Sequence, residues 1–296
     1  MLKNSGKYFQ TIANSIMVII TLCALIPFLL LVITSLSSNE SIIRSGYSLI
    51  PKDFTLEAYA YIWREKMQIF NAYGITVGIT IIGSATAIIL TLLYAYVLAK
   101  PSFPGKTFFS FYIFFTMLFN GGIVPTYIMY TNYLHLKNTM LALIIPGLLL
   151  NAFNVILVRT FIQNNVPASL TEAAKIDGAG EFRIFARVVL PLTKPIIATV
   201  GLFIGVAYWN DWQNGLYYVT DNRLYSIQQL LNNMMKNIQF LSSNPSSAIN
   251  SNVAASIPQA TVRMAIAVIG IVPILVIYPF VQKYFIKGIA LGAVKG

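Results

Sequence analysis

The sequence predicts an all-α integral membrane protein of six transmembrane helices, with one helix–turn–helix loop held outside the bilayer on the cytoplasmic side. Three observations predict it. Of 296 residues, 57% are hydrophobic and only 10% charged, with a mean hydropathy of +0.71, whereas a soluble domain carries about 25% charged residues. Charges punctuate the chain at the ends of apolar runs, each able to reach across roughly 25–30 Å at about 1.5 Å per residue. One connection, from Arg159 to Lys194, is far longer than a link between helices needs to be and is patterned.

The spans follow in order. Tyr8–Asn39 is uncharged, with its apolar centre from Ile16 to Ile33. It is too long for a signal-peptide core and no small-residue cleavage site closes it, so it reads as an uncleaved first helix, kinked near Pro27. Met67–Ala99 lies between Lys66 and Lys100, and its helix is expected from Tyr73 to Ala99, with Gly74, Gly78 and Gly83 permitting close packing. Thr107–Leu136 is the third span, and Asn138–Val158, bounded by Lys137 and Arg159, the fourth. Pro195–Asn210 is the fifth, ending at Asp211, and Met264–Gln282, between Arg263 and Lys283, is the sixth.

The net charge of +11 forms no basic stripe interleaved with aromatics, which speaks against a nucleic-acid partner. The cations instead flank the spans, where they meet anionic lipid headgroups and set orientation. Placing both termini inside puts 12 of the 20 basic residues on the cytoplasmic side, carried by the shorter segments. The expected location is a bacterial-type cell membrane, crossed several times, as a single domain over 1–296. Segments 37–72 and 220–261 then lie outside. The first mixes charge with aromatics and is expected to form short surface helices. The second contains the polar tract Ser242–Ser247, expected as a mobile loop. Cys23 reads as a small packing residue, His135 as an interfacial one, and no His/Cys cluster offers a metal site.

Segment 159–194 reads as a compact hairpin. Ser169 and Glu172 are spaced as a capping box, and a short helix runs to Asp177 and stops at Gly178. A second helix runs from Glu181 to Val189, with Phe182, Phe185, Val188 and Val189 at helical spacing, until Leu190-Pro191 ends it. Glu172-Ala173-Ala174, then Gly178, Val188 and Leu190-Pro191 at their spacing resemble the coupling motif of ABC importer permeases, with Val188 where that family often has isoleucine. The resemblance implies the type I permease fold, with a helix that docks on an ATP-binding subunit through Glu172, Ala173, Ala174, Lys175, Asp177, Gly178, Arg183 and Pro191. It also implies that ATP and Mg belong to a partner ATPase dimer and that this chain binds no cofactor. Gly105-Lys106-Thr107 has Lys100 where a phosphate-binding loop needs its first glycine, so it is no ATP site.

Phe119–Tyr127, Asn138-Thr139, Trp209–Trp212 and the C-terminal Lys287-Gly288 with Val294-Lys295-Gly296 resemble the maltose-type carbohydrate branch, second-permease type. This implies a sugar or oligosaccharide cargo, a second permease subunit and an extracytoplasmic solute-binding protein. Polar residues inside apolar helices are costly unless they face protein or a wet cavity. Asn120, Asn151, Asn154, Tyr208, Trp209, Asn210, Asp211 and Trp212 are the candidates for a carbohydrate path, amides and carboxylate for hydroxyls and aromatic faces for a pyranose. Interhelical hydrogen bonding with interfacial aromatic anchoring accounts for the same residues and stays open.

Other functions fit less well. One histidine excludes a two-histidine zinc motif, and no paired intramembrane aspartates appear. A secondary carrier shows related halves and ionisable groups at the midplane, neither of which is seen. A membrane sensor needs a signalling domain. Amino acids or peptides are the alternative cargo.

Overall fold

Apolar runs without a breaker form long helices here, and runs containing Pro-Gly or Gly-Gly are divided. The computed structural model describes residues 2–51, 53–243 and 259–293. Among the described residues the only β pairing is an isolated antiparallel bridge between Ser37 and Phe54. In chain order the helices are α1 (Leu2–Ser35), α2 (Asn39–Ser45), α3 (Glu57–Trp63), α4 (Lys66–Ala99), α5 (Lys106–Leu118) and α6 (Ile123–Ile128). Next come α7 (Leu141–Ile144), α8 (Ala152–Asn165), α9 (Ala168–Ile176), α10 (Glu181–Ile184), α11 (Leu190–Leu192) and α12 (Lys194–Asn210). The last are α13 (Gln213–Tyr218), α14 (Ile227–Ser243) and α15 (Gln259–Ala293).

Among the described residues three helices are long and apolar enough to cross a membrane alone, within α1, α4 and α15, or up to five spans if two bent pairs each count once. The third expected span is such a pair: α5 and α6, with the π turn Met129–Tyr133, meet at 113°. The cause is Asn120-Gly121-Gly122, where Gly122 takes φ +83° and donates its N–H to Asn120 Oδ1 at 2.8 Å. The fourth expected span, Asn138–Val158, is not one helix. Pro146-Gly147, with Gly147 at φ +71°, separates α7 from α8, and α8 runs past Arg159 to Asn165. Asn151 restarts the helix by accepting the Asn154 N–H at 3.3 Å.

Segment 220–261 also departs from expectation. Residues 227–243 form α14, an amphipathic helix that buries Ile227, Leu230, Leu231 and Ile238 at helical spacing. Asn244–Ser247 of the polar tract and the C-terminal Val294–Gly296 lie outside the described residues.

The chain divides into two compact units, Met1–Met67 with Leu231–Pro273 and Gln68–Leu230 with Ile274–Gly296. In the first, the Ser35 and Tyr59 hydroxyls pair at 2.8 Å, and Ala58, Ile62, Val262 and Ala265 are buried. From Tyr8 to Ser35, α1 has a mean hydropathy of 3.1 in its most apolar window, none of which is buried. Cys23 is exposed on it, so it does not pack inside the chain as expected.

In the second unit Ile79, Ala87, Leu98, Leu143, Val155, Val158, Ile184, Val189, Val200 and Tyr208 belong to one buried apolar core. Lipid tails are as apolar as these side chains, so close fit rather than transfer from water holds such helices together. Gly83 shows it: a Cβ there would stand 2.6 Å from the Tyr208 ring. Gly74 has open space around it and Gly78 only the end of Met140 at 3.8 Å, so close packing needs neither.

Candidate functional site

The hairpin is built from its turns upward. α9 starts at Pro167, whose extended backbone enters the helix, and no side chain caps it. Proline suits this extended residue before the helix because its φ is fixed and it has no N–H to leave unpaired. Ser169 therefore lies inside the first turn, and the expected capping box with Glu172 does not form. The C-terminal end is as expected. Gly178 takes φ +75°, its N–H reaches Lys175 O at 3.0 Å, and the Ala179 N–H reaches Ala174 O at 2.9 Å.

The second helix does not stop at Pro191. The π turn Phe185–Val189 shifts the register so that Pro191 falls in the first turn of α11, where its missing N–H costs little. The bend comes later: the Glu181–Leu192 stretch and α12 meet at 82°.

Glu172, Ala173, Lys175, Asp177, Arg183 and Pro191 are exposed, and Ala174 is half-buried. Ile176 and Phe182 stand out from the hairpin, 87% and 77% exposed. What ties it to α4 is Glu181. Its Oε2 accepts from Tyr96 at 2.8 Å and from Lys100 Nζ, while Oε1 lies 3.6 Å from Lys175 Nζ. Lys100 also sits over the Tyr96 ring, 4.3 Å from its centroid, and Tyr96 packs on Phe185 at 5.2 Å. The Lys100 ammonium, then the Tyr96 hydroxyl, hold the Glu181 carboxyl below its ordinary range. Sequence reading missed this role. The available signal was position: Glu181 opens the second helix, where a carboxylate suits the dipole.

The expected path residues separate. Tyr208 is fully buried and donates to Ile144 O at 2.8 Å, so it belongs to the core. Trp209 is buried, 6.3 Å from Tyr73 between ring centroids, with Nε1 unpartnered among the described residues. Asn210 is exposed and accepts from Gln228 at 3.5 Å, and Trp212 is 39% exposed. Asp211 turns inward. Its Oδ1 accepts the Gln213 and Asn214 N–H groups at 3.2 and 3.3 Å, and its buried Oδ2 has no partner among the described residues. Arg223, a possible mate by charge, is paired to Asp221 at 2.8 Å instead.

Asp211 and Asn120 line one cavity of about 370 Å³, with Thr126, Gly147, Asn214 and Tyr217. Asn151 and Asn154 line a second of about 300 Å³ with Phe203. Gly147 and Leu148 belong to both. Asn214 was not among the expected residues, yet it donates to Pro146 O at 2.9 Å. Two carbonyls left without a helical partner where α7 and α8 part, Ile144 O and Pro146 O, are thus answered by Tyr208 and Asn214.

The family described as "Binding-protein-dependent transport system inner membrane component" matches residues 71–291. The chain is 36% identical over 292 residues to the polygalacturonan/rhamnogalacturonan transport system permease protein YtcP of Bacillus subtilis, covering 98% of this chain and 99% of that one. It is 30% identical over 280 residues to the melibiose/raffinose/stachyose import permease protein MelC of the same organism, 94% of each chain. A crystal structure of a bacterial ABC transporter involved in import of the acidic polysaccharide alginate aligns with a TM-score of 0.79 and 30% identity, over 95% of this chain and 98% of that one.

Proposed function

We propose that this chain, which belongs to the family of binding-protein-dependent transport system inner membrane components, forms half of a pore that carries an oligosaccharide into the cell. It is an integral membrane permease subunit of an ABC importer, and ATP hydrolysis is carried out by separate ATPase subunits. One observation supports the carbohydrate path above others. The cavity of about 370 Å³ presents Asn120, Thr126, Asp211, Asn214 and the aromatic Tyr217, amide and carboxylate groups for hydroxyls beside a ring for a sugar face. The named cargoes of the relatives are carbohydrates.

In this reading six crossings are made by α1, α4 and α15 singly, by α5 with α6, by α7 with α8, and by α12. Both termini and the 159–194 hairpin are cytoplasmic, and 37–72 and 220–261 face outward. The exposed face of α9, with Glu172, Ala173, Lys175 and Asp177, docks on an ATPase dimer, and Arg183 adds charge beside it. The partners are a second permease, an extracytoplasmic solute-binding protein and bacterial membrane lipid. This chain holds no cofactor of its own, ATP and Mg being on the ATPases.

The test is import by the reconstituted complex. A neutral oligosaccharide should be taken up only with its binding protein, and Asn120→Ala or Asp211→Asn should cut uptake about tenfold while assembly persists, each removing a polar contact worth about 1–2 kcal/mol. Uptake of a cationic peptide or amino acid that needs Asp211, with no response to any sugar, would overturn the carbohydrate reading.

A further inference from the structure

A third cavity, of about 290 Å³, lies away from the transport path, where the ends of α4 and α8 meet the starts of α5 and α9. Its lining includes Lys100, Lys106, Gln163 and Thr171, and none of its lining residues is acidic. Lys106 is the first residue of α5, a helix with no side-chain cap and no carboxylate in its first turn. A cation at that end opposes the positive pole of the helix dipole. It is half-buried, and among the described residues it has no anionic partner. α9 begins on the same wall, likewise without a side-chain cap or an acidic first turn. Lys100 does have Glu181, but that carboxylate is shared with Lys175, so the neighbourhood keeps a positive excess.

We propose that this cavity binds a phosphate-bearing anion, held chiefly by Lys106 with Lys100, Gln163 and the Thr171 hydroxyl around it. The ammonium groups supply charge-assisted donors, and the Gln163 amide a neutral one. Thr171 already donates to Ala168 O at 2.8 Å, so it serves as a polar wall. A phospholipid headgroup and free inorganic phosphate share this chemistry. Occupancy ties the start of α5 to the start of α9, and so steadies the hairpin without entering the transport path. The inference is independent of which cargo the pore carries.

The experiment uses the full importer complex. Retention of phosphatidylglycerol is counted by native mass spectrometry after reconstitution in phosphatidylcholine nanodiscs with and without that lipid. Binding of inorganic phosphate is measured by equilibrium dialysis in phosphatidylcholine alone. Lys106→Gln should weaken retention of whichever anion binds by about tenfold, the scale of one charge-assisted contact. Lys106→Arg should restore it, and Lys137→Gln, at an exposed site elsewhere, should leave it unchanged. Loss confined to phosphatidylglycerol assigns the lipid, and loss confined to phosphate assigns the free ion. Failure of the parent complex to hold either anion, or equal retention by parent and Lys106→Gln, overturns the proposal. So does an equal loss in Lys137→Gln, which would show a diffuse charge effect.

Discussion

At the scale of single residues, two side chains steady the interruption of the fourth expected run. Tyr208 and Asn214 each answer a carbonyl that the break after α7 leaves without a helical partner, Ile144 O and Pro146 O. Tyr208→Phe keeps the ring against Gly83 and removes only the hydroxyl, and Asn214→Leu leaves Pro146 O unpaired. Each should lower stability by about 1–2 kcal/mol, the cost of a buried orphaned polar group, read as thermal unfolding of the purified complex. Gly83→Ala should cost more, about 1–3 kcal/mol, because the Tyr208 ring cannot give way inside the core. Glu181 is different, because its contribution is electrostatic and pH-dependent. Its folded pKa lies below the ordinary carboxylate value, so its stabilisation is complete above that value and is lost as pH falls through the folded one. Amide protection across α9 and α10, taken relative to the intrinsic exchange rate at each pH, should therefore fall on acidification below the carboxylate range, and Glu181→Gln should show the lower protection already at neutral pH.

At the scale of elements, the uninterrupted helices were legible and the broken ones were not. α4, α12 and α15 follow from charge-bounded apolar runs, because in such runs hydropathy and helical hydrogen bonding favour the same state. Pro146-Gly147 and Asn120-Gly121-Gly122 were visible as breakers, but the hydropathy of their surroundings outweighed them in a reading based on span length. α14 was missed for the opposite reason. Its apolar residues are spaced among Asn, Gln and Lys, so average polarity concealed a helical period. Of the candidate path, Asn120 and Asp211 converge on one cavity, whereas Tyr208 serves the core, which composition does not distinguish. The hairpin was legible to its turn, and that turn carries a prediction. Gly178 sits at φ +75°, where proline cannot follow, so Gly178→Pro should unfold the turn. Glu172→Lys leaves the turn intact and reverses an exposed charge on α9. Both should abolish transport and reduce copurification of the ATPase several-fold, while membrane insertion is unchanged. ATPase binding by Glu172→Lys equal to that of the parent would sink the docking assignment.

At the scale of the whole molecule the open issue is sidedness, and the charges supply the argument. With both termini inside, the cytoplasmic segments hold 12 of the 20 basic residues against Glu172, Asp177 and Glu181 only. The outward segments balance their cations with more carboxylates, among them Glu40, Asp53, Glu57 and Glu65. Lysine and arginine near span ends are retained on the cytoplasmic side, so the bias favours this orientation. The bent pairs matter, because the inferred number of crossings fixes whether 37–72 and the hairpin fall on opposite faces. Between α3 and α9 this reading places α4, the α5–α6 pair and the α7–α8 pair, an odd number of crossings. If the interrupted α7–α8 run turned back without crossing, the hairpin would share a side with α2. Cysteines at Ser45 and Ser169 separate the two cases, after Cys23→Ala removes the exposed native thiol on α1. A membrane-impermeant maleimide added to intact cells should label the cysteine at position 45 and leave the one at 169 unmodified until the membrane is opened. Labelling of both from one side would show that the α7–α8 run does not cross, and would remove the hairpin from the cytoplasm.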